Sequence, residues 1–397
     1  MNELSYFPPS DAAGGWRTLT DPREVRRVAG LDVGKLDQAL AVARESTKNG
    51  GLLVARRGWL AYERYFGLGC REAAPNTASC GKSFTSIALG ILLGERPEAF
   101  PEGLEQRVYT TDYLPPEAFP LPDPAKAEIK LGQLLAFTAG IRGNNPGYIR
   151  GRETTLDPIG PDGWQAMVDE IALGLSEESY PDGRPFTART LWCPPGGGYS
   201  YATASIHLVS LILRRVAGME MQAYLAQRLA EPLGWGRWSF AYRNAPRVTH
   251  TPGGGGAALR GTDMLRFLYL LLREGRWGDR QVVPAWYVRH ARQRSPYNPH
   301  FPYSLQFDVN SDGWYPELPR DAYWKAGSGG HALYVVPSLD LVAWKLGGRD
   351  EQYSPANTGL PAAQPDEAGP REGWAAAWEP GAALRKVLEL VVAAAVD

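Results

Sequence analysis

The feature that most limits the fold is the order of the segments: β-prone runs stand near both ends of the chain, and helical patterning fills the middle. Near the N-terminus, LLVAR and WLAYERYF flank Arg57-Gly58 and predict a hairpin over about 51–66. Near the other end, HALYVVP and LDLVAWKLG predict two adjacent strands around Pro337-Ser338, over 331–347. Apolar spacing predicts a helix over 31–46, stopped by Lys-Asn-Gly-Gly, and an amphipathic helix over about 380–395. Between the strand runs, helices are expected at 79–93, 130–137, 163–174, 203–217 and 221–231, with Pro/Gly loops at 143–163 and 180–200. A further helix is expected at 262–274, capped by Thr262 or Asp263. The expected fold class is therefore α+β, an antiparallel sheet flanked by N- and C-terminal helices with a mostly helical domain inserted. Residues 1–78 and 250–397 would form the sheet domain and 79–249 the helical one, with a site at their interface.

Phe84, Ile87, Ala88, Ile91 and Leu92 recur at helical spacing, which predicts a helix buried on that one face. TASIHLVSLILRRVA (203–217) is apolar nearly all round and reads as the central helix, stopped by Gly218. Residues 294–324 form a long aromatic loop region, and the polar, Pro/Gly-rich stretch 348–375 reads as a surface excursion.

The net charge of −1 gives no pull toward nucleic acid or an anionic membrane. Three cysteines, Cys70, Cys80 and Cys193, and five scattered histidines show no metal-ligand spacing, so neither a metal nor a cofactor is expected. The N-terminal MNELSYFPPSDAAGG has no basic region followed by an apolar one, and no run is long enough to span a membrane. The expectation is a cytoplasmic protein acting on a small molecule, with its oligomeric state open.

TASCGKSFTS (77–86) holds two chemistries. A phosphate-binding loop needs glycine where Asn76 stands and a buried strand before it, and LGCREAAPNTA is not one. The other reading pairs Ser79 with Lys82, three residues on and on the same helical face, near the positive end of the helix. A serine hydroxyl is a weak nucleophile until a neighbour takes its proton, and a desolvated lysine amine can do so. Alone, Ser-x-x-Lys is better explained by a capping serine and a solvated lysine. Gly198-Tyr199-Ser200-Tyr201-Ala202 imitates a nucleophile elbow, with Asp308 and His331 following in order. LWCPPGGG is not the buried strand that an elbow must follow, so this reading fails.

Two further segments change the weight of Ser79 and Lys82. GGGYSYATASIHLVSLILRRVAG presents Tyr201-Ala202-Thr203 at a helix start, and YWKAGSGGHALYVV presents Lys325-Ala326-Gly327 leading into a strand. With Ser79-x-x-Lys82, in this order, they resemble the serine β-lactamase and penicillin-binding-protein superfamily, in its class C and esterase branch. LGQLLAFTAGI (131–141) and GGGAALRGTDMLRFLYLLLREGRW (254–277) resemble further segments of that branch, so the likeness runs from about 50 to 347.

The resemblance implies a β-lactamase/DD-peptidase-like fold and a serine hydrolase. Ser79 would form an acyl-enzyme, Lys82 and Tyr201 would share the proton transfers, and the Ser79 and Ser328 amides would form the oxyanion hole. Lys325, Thr203, Gly327, Trp324 and His331 would line the substrate. Two departures matter: Thr203 stands where Asn is common, and Ala326 where Thr is usual. Both weaken recognition of a β-lactam or a D-Ala-D-Ala peptide and favour small esters or amides, with a carboxylesterase foremost. The alternatives are a β-lactamase, a D-aminopeptidase or DD-peptidase-type amidase, and a catalytically silent binding protein.

Overall fold

The computed structural model describes residues 6–396 except 115, 117, 118, 122, 144, 145, 157–190, 241–250 and 366–368. The expected helix at 163–174 lies outside the described residues.

Helix α1 (Val33–Ser46) leads into strands β1 (Gly50–Arg56) and β2 (Trp59–Phe66). Arg57 and Gly58 join the strands with φ of 53° and 76°. Two successive positive φ values make the tight hairpin turn whose twist matches the flanking strands. Helix α2 (Gly81–Glu95) follows, then a short helix over Leu131–Leu135 and a small hairpin of β3 (Gly147–Ile149) and β4 (Arg152–Thr154). Helix α3 (Thr203–Ala217) ends on Gly218 at φ 70°, the left-handed cap that glycine supplies. The segment Met221–Leu233 is helical throughout, through a π turn over Ala226–Ala230. Strand β5 (Trp238–Phe240) pairs with β6 (Ala257–Leu259), followed by α4 (Gly261–Leu272) and the small β7 (Arg276–Trp277) and β8 (Arg280–Gln281) pair. Then come β9 (Asp308–Val309), β10 (Tyr323–Gly327), β11 (His331–Val336), β12 (Leu341–Leu346) and helix α5 (Pro380–Ala393).

One six-stranded antiparallel sheet runs in the order β2-β1-β12-β11-β10-β9. Its central seam pairs Leu53 with Trp344, so residues nearly 300 positions apart in sequence close the sheet, as the segment order requires. One face packs α1 and α5, burying Leu36, Leu52, Tyr334, Val387 and Val391. The other face packs α4 and joins a continuous core with α2 and α3.

Several expectations are corrected. α2, expected to be buried on one face, is buried along its whole circumference from Gly81 to Leu93. α3, expected at the centre, is buried on every side from Ser205 to Ser210, and its last turn reaches the surface, where Arg215 is exposed. α2 lies so deep because its small polar side chains are satisfied internally. Ser83 Oγ donates to Gln306 O, Thr85 Oγ1 to Gly253 O and Ser86 Oγ to Leu305 O. Thr262 and Asp263 lie inside α4 rather than capping it; Arg260 holds the cap position and Asp263 pairs with buried Arg266 at 2.7 Å. The aromatic region 294–324 contains β9 and the start of β10. The start of the 348–375 stretch is docked, not free: Tyr353 donates to Gly347 O at 2.6 Å, and Gln352 Nε2 donates to Asn76 O at 2.7 Å.

Candidate active site

Ser79 lies in the 3-10 turn Ala78–Cys80 that opens α2. Ala78 holds φ 49°, a left-handed conformation that costs a residue with a Cβ about 1–3 kcal/mol. Its amide donates to Asn76 Oδ1 and its carbonyl accepts from the Gly256 amide, both at 2.9 Å, which fix the conformation. The approach to the Gly253–Gly256 loop demands glycine on both sides. A Cβ on Gly255 would stand 2.6 Å from Ala78 O, and one on Gly81 would stand 2.9 Å from the Gly255 backbone.

Lys82, one turn further, is buried, with 1 % of its surface exposed. Its Nζ donates to Ser79 Oγ at 2.8 Å and to Gly254 O at 2.5 Å. Among the described residues no carboxylate pairs with it, and burial pushes its pKa down to about 8. About a tenth of the amine is therefore neutral at pH 7, and about half at pH 8, in hydrogen-bond contact with the serine.

Tyr201 arrives just before α3. Lys82 Nζ stands 5.3 Å and Lys325 Nζ 4.6 Å from its ring centroid, and Phe137 packs on it at 4.8 Å. Burial raises its pKa, while Lys82 and hydrogen bonding with Ser79 draw it back down. Lys325, on β10, is also buried and donates to the Tyr303 hydroxyl. Burial pushes Lys325 down to about 8, and Asp308 opposes that shift. Tyr303 donates to Gln306 Oε1 at 3.2 Å, Gln306 Nε2 donates to Leu135 O at 2.6 Å, and the Tyr303 ring stacks on Phe137. Ser79, Lys82, Tyr201 and Lys325 thus converge. Sequence reasoning missed Tyr303 and Gln306, because nothing distinguishes them from the other residues of the aromatic loop.

The remaining predicted residues divide. Gly327 meets the nucleophile turn so closely that a Cβ would stand 2.3 Å from Thr77 O, which brings Ser328 beside Ser79. Gln352 Nε2 also donates to Ser328 O at 3.2 Å, so one side chain ties Ser328 to Asn76, three residues before Ser79. The Thr203 methyl faces Gly254, whose carbonyl accepts from Lys82. Strand alternation puts Trp324 opposite in sense to Lys325; it packs with Tyr315 at 5.4 Å and stays partly exposed. His331, expected against substrate, is fully buried: its Nδ1 accepts from the Gly347 amide at 3.1 Å and its ring stacks on Trp344. Burial pushes His331 down to about 3, so it is a neutral structural group. Cys80 points into the core, donating to Lys325 O. Ser200 of the elbow-like segment is buried and accepts from the Gly143 amide at 2.9 Å.

A beta-lactamase family model matches residues 36–350, most of the chain and all of this site. The chain belongs to the beta-lactamase family. That family is one of serine hydrolases. Solved structures share the fold at low identity. A putative 6-aminohexanoate-dimer hydrolase from Bacillus anthracis is 20% identical, with 87% of this chain and 82% of that chain covered and a TM-score of 0.56. EstCE1, described as a hydrolase with promiscuous acyltransferase activity, is 17% identical over 90% of this chain and 98% of its own, with a TM-score of 0.64. Simvastatin synthase from Aspergillus terreus is 16% identical over 91% and 97%, with a TM-score of 0.58. No curated protein sequence matches the chain. Among the described residues no helix is long and apolar enough to cross a membrane.

Proposed function

We propose that this member of the beta-lactamase family is a hydrolase of small esters, and more slowly of amides, acting through an acyl-enzyme on Ser79. The observation that carries the reading is the 2.8 Å hydrogen bond between Ser79 Oγ and a buried lysine with no carboxylate partner among the described residues. Ser79 Oγ attacks the carbonyl carbon, and its proton passes to neutral Lys82 Nζ. Lys82 is the better acceptor, because burial lowers its pKa and raises that of Tyr201. Tyr201 gives its phenol proton to the leaving oxygen or nitrogen and recovers one from Lys82. The Ser79 and Ser328 amides hold the developing oxyanion, a contribution of roughly 3–4 kcal/mol per donor. Water then attacks the acyl ester, loses a proton to the same pair of groups and frees Ser79.

Ester preference over β-lactams rests on Thr203, which lacks the side-chain amide of an asparagine, and on Ala326, which lacks the hydroxyl of a threonine. A fluorophosphonate probe tests the nucleophile: labelling maps to Ser79 and disappears in Ser79→Ala. Short-chain p-nitrophenyl esters turn over faster than nitrocefin. Failure to label at any dose would point to a binding protein, and nitrocefin turnover above every ester would reverse the substrate preference.

A further inference from the structure

The Lys82 amine donates both to Ser79 Oγ and to Gly254 O. Ser79 Oγ is the reacting atom, so the carbonyl of Gly254 is the fixed point that sets where the amine waits. Yet Gly254 stands in a run of four glycines, 253–256, the residue type with the least backbone preference. Stiffer residues have no room there. A Cβ on Gly253 would stand 2.4 Å from Ile206 O, and one on Gly254 would stand 2.5 Å from His207 Nε2. The carbonyl that orients Lys82 must therefore be held from outside its own loop.

Two helices hold it. Thr85 of α2 donates its hydroxyl to Gly253 O at 2.8 Å, and His207 of α3 accepts the Gly254 amide on Nδ1 at 3.2 Å. That carbonyl and that amide are the two ends of one planar peptide group, so its orientation is gripped from both sides. Ser210, three residues along α3, accepts the Gly253 amide on Oγ at 3.0 Å and donates to His207 O at 2.7 Å. His207 and Ser210 thus share the face of α3 that meets the glycine loop, together with Thr203, one turn before His207, whose methyl abuts Gly254.

His207 is buried and in the one state that serves this contact. A backbone amide only donates, so Nδ1 carries no proton and Nε2 holds it. Burial, with the charge of Lys82 nearby, pushes the His207 pKa down to about 3, which keeps the ring neutral. A protonated ring would lose the acceptor and set a second positive charge beside Lys82. α3 begins two residues after Tyr201, so a single helix carries the phenol at its entry and His207 one turn inside. We propose that His207 is the positioning residue for Lys82: through Nδ1 it fixes the Gly254 peptide, whose carbonyl keeps the amine aimed at Ser79. His207 touches no reacting atom and acts only through Gly254. This inference rests on the hydrolase reading above.

Two substitutions separate positioning from packing. His207→Asn keeps an acceptor, Oδ1, where Nδ1 stands, and His207→Leu keeps the bulk without one. His207→Leu is expected to lower kcat on p-nitrophenyl butyrate by about thirtyfold with KM within about threefold, the scale of loss that a displaced catalytic group gives. His207→Asn is expected to hold kcat within about fivefold of wild type. The rate at which a fluorophosphonate labels Ser79 should follow the same order. In that reaction Ser79 Oγ bonds to phosphorus, its proton passes to Lys82 and fluoride leaves, with no proton drawn from Tyr201. Nitrogen NMR of the wild-type protein, with His207 assigned through the asparagine variant, is expected to show the Nε2–H tautomer, still neutral at about pH 5.5. Should the leucine variant fail to fold, His207→Gln takes its place, since it moves the acceptor out by one bond, and a tenfold loss in kcat is expected. Equal losses in the asparagine and leucine variants, or wild-type kcat in the leucine variant, would overturn the assignment. So would an Nδ1–H ring, or one that titrates near the ordinary histidine value. Undiminished hydrolysis by Ser79→Ala, or no hydrolysis by the wild type, would instead remove the hydrolase reading, while the tautomer would still report the bond from Gly254.

Discussion

Lys82 and Lys325 are two buried amines on either side of one phenol, each pushed down to about 8, so their protonation decides what the site can do. Lys82 works as a base only when neutral, so kcat/KM is expected to rise with pH and level off above about 8. The positive charge of Lys325 is one of the causes that lower Lys82. Removing it in Lys325→Met lets the Lys82 pKa rise, so the limb of the profile should move to higher pH and turnover should fall by about 10². A limb that stays in place, or moves to lower pH, would separate Lys325 from the proton chemistry. Tyr303→Phe leaves the aromatic stack and removes the hydroxyl that Lys325 donates to. It should lower kcat several-fold with KM little changed, and cost about 1–3 kcal/mol of stability, because the buried Lys325 amine and Gln306 Oε1 each lose a partner. At this scale the sequence was legible where a residue type announces its chemistry. Ser79, Lys82, Tyr201 and Lys325 could be picked out because a nucleophile, two amines and a phenol stood in a recognisable order. Tyr303 and Gln306 could not, since their part is played only through the fold of the loop that carries them. Asp308 was visible only as a member of a false triad.

Helix α2 shows why periodicity reads some elements and misreads others. Its boundaries follow from its apolar spacing, and so does the end of α3 at Gly218. Its depth does not follow, because Ser83, Thr85 and Ser86 look like a wet face until their carbonyl partners on the 253–256 and 303–307 loops are known. The same dense packing makes two glycines of α2 informative. A Cβ on Gly90 would stand 2.6 Å from the Tyr287 ring, far from Ser79 along the helix. A Cβ on Gly81 would press on Gly255, next to the carbonyl that accepts from Lys82. Both alanine variants overpack the core and should lose about 1–3 kcal/mol. Gly90→Ala should keep the kcat of the folded protein, whereas Gly81→Ala should lower it by tenfold or more. Denaturant titrations beside kcat on p-nitrophenyl butyrate check this, and matching kcat values for the two would show that the loop does not position Lys82.

At the scale of the whole molecule, the six-stranded sheet was foreseeable because strand-like runs at the two ends have each other as partners. The register Leu53 to Trp344 was not, since it depends on packing against both layers of helices. Nor was the cost hidden in that sheet. Lys345 lies in β12 with no surface exposed, and its Nζ donates to Gly330 O at 2.6 Å. Burial pushes it down to about 7, while Lys82, Lys126 and Lys325 stand near 8. Unfolding returns all four to the ordinary lysine value of about 10.4, so between pH 7 and 9 the unfolded chain holds more protons than the folded one. Stability must then rise with pH across that window. Cys80 and Cys193, pushed up by burial to about 12 and about 11, oppose the climb weakly as free thiols begin to ionise near about pH 8.5, and buried tyrosines such as Tyr303 oppose it only near about pH 10. The melting temperature should therefore climb from pH 7 to pH 9, against the common fall-off above neutrality. Lys345→Met removes the most strongly depressed of the four groups and should flatten the climb by about a third. Because Met leaves Gly330 O without its donor, the comparison lies in the slope and not in the absolute melting point. An unchanged slope in Lys345→Met, or a wild-type melting point that falls across this range, would show that these amines are solvated in the folded protein. The neutral Lys82 on which the proton transfers depend would then be lost as well.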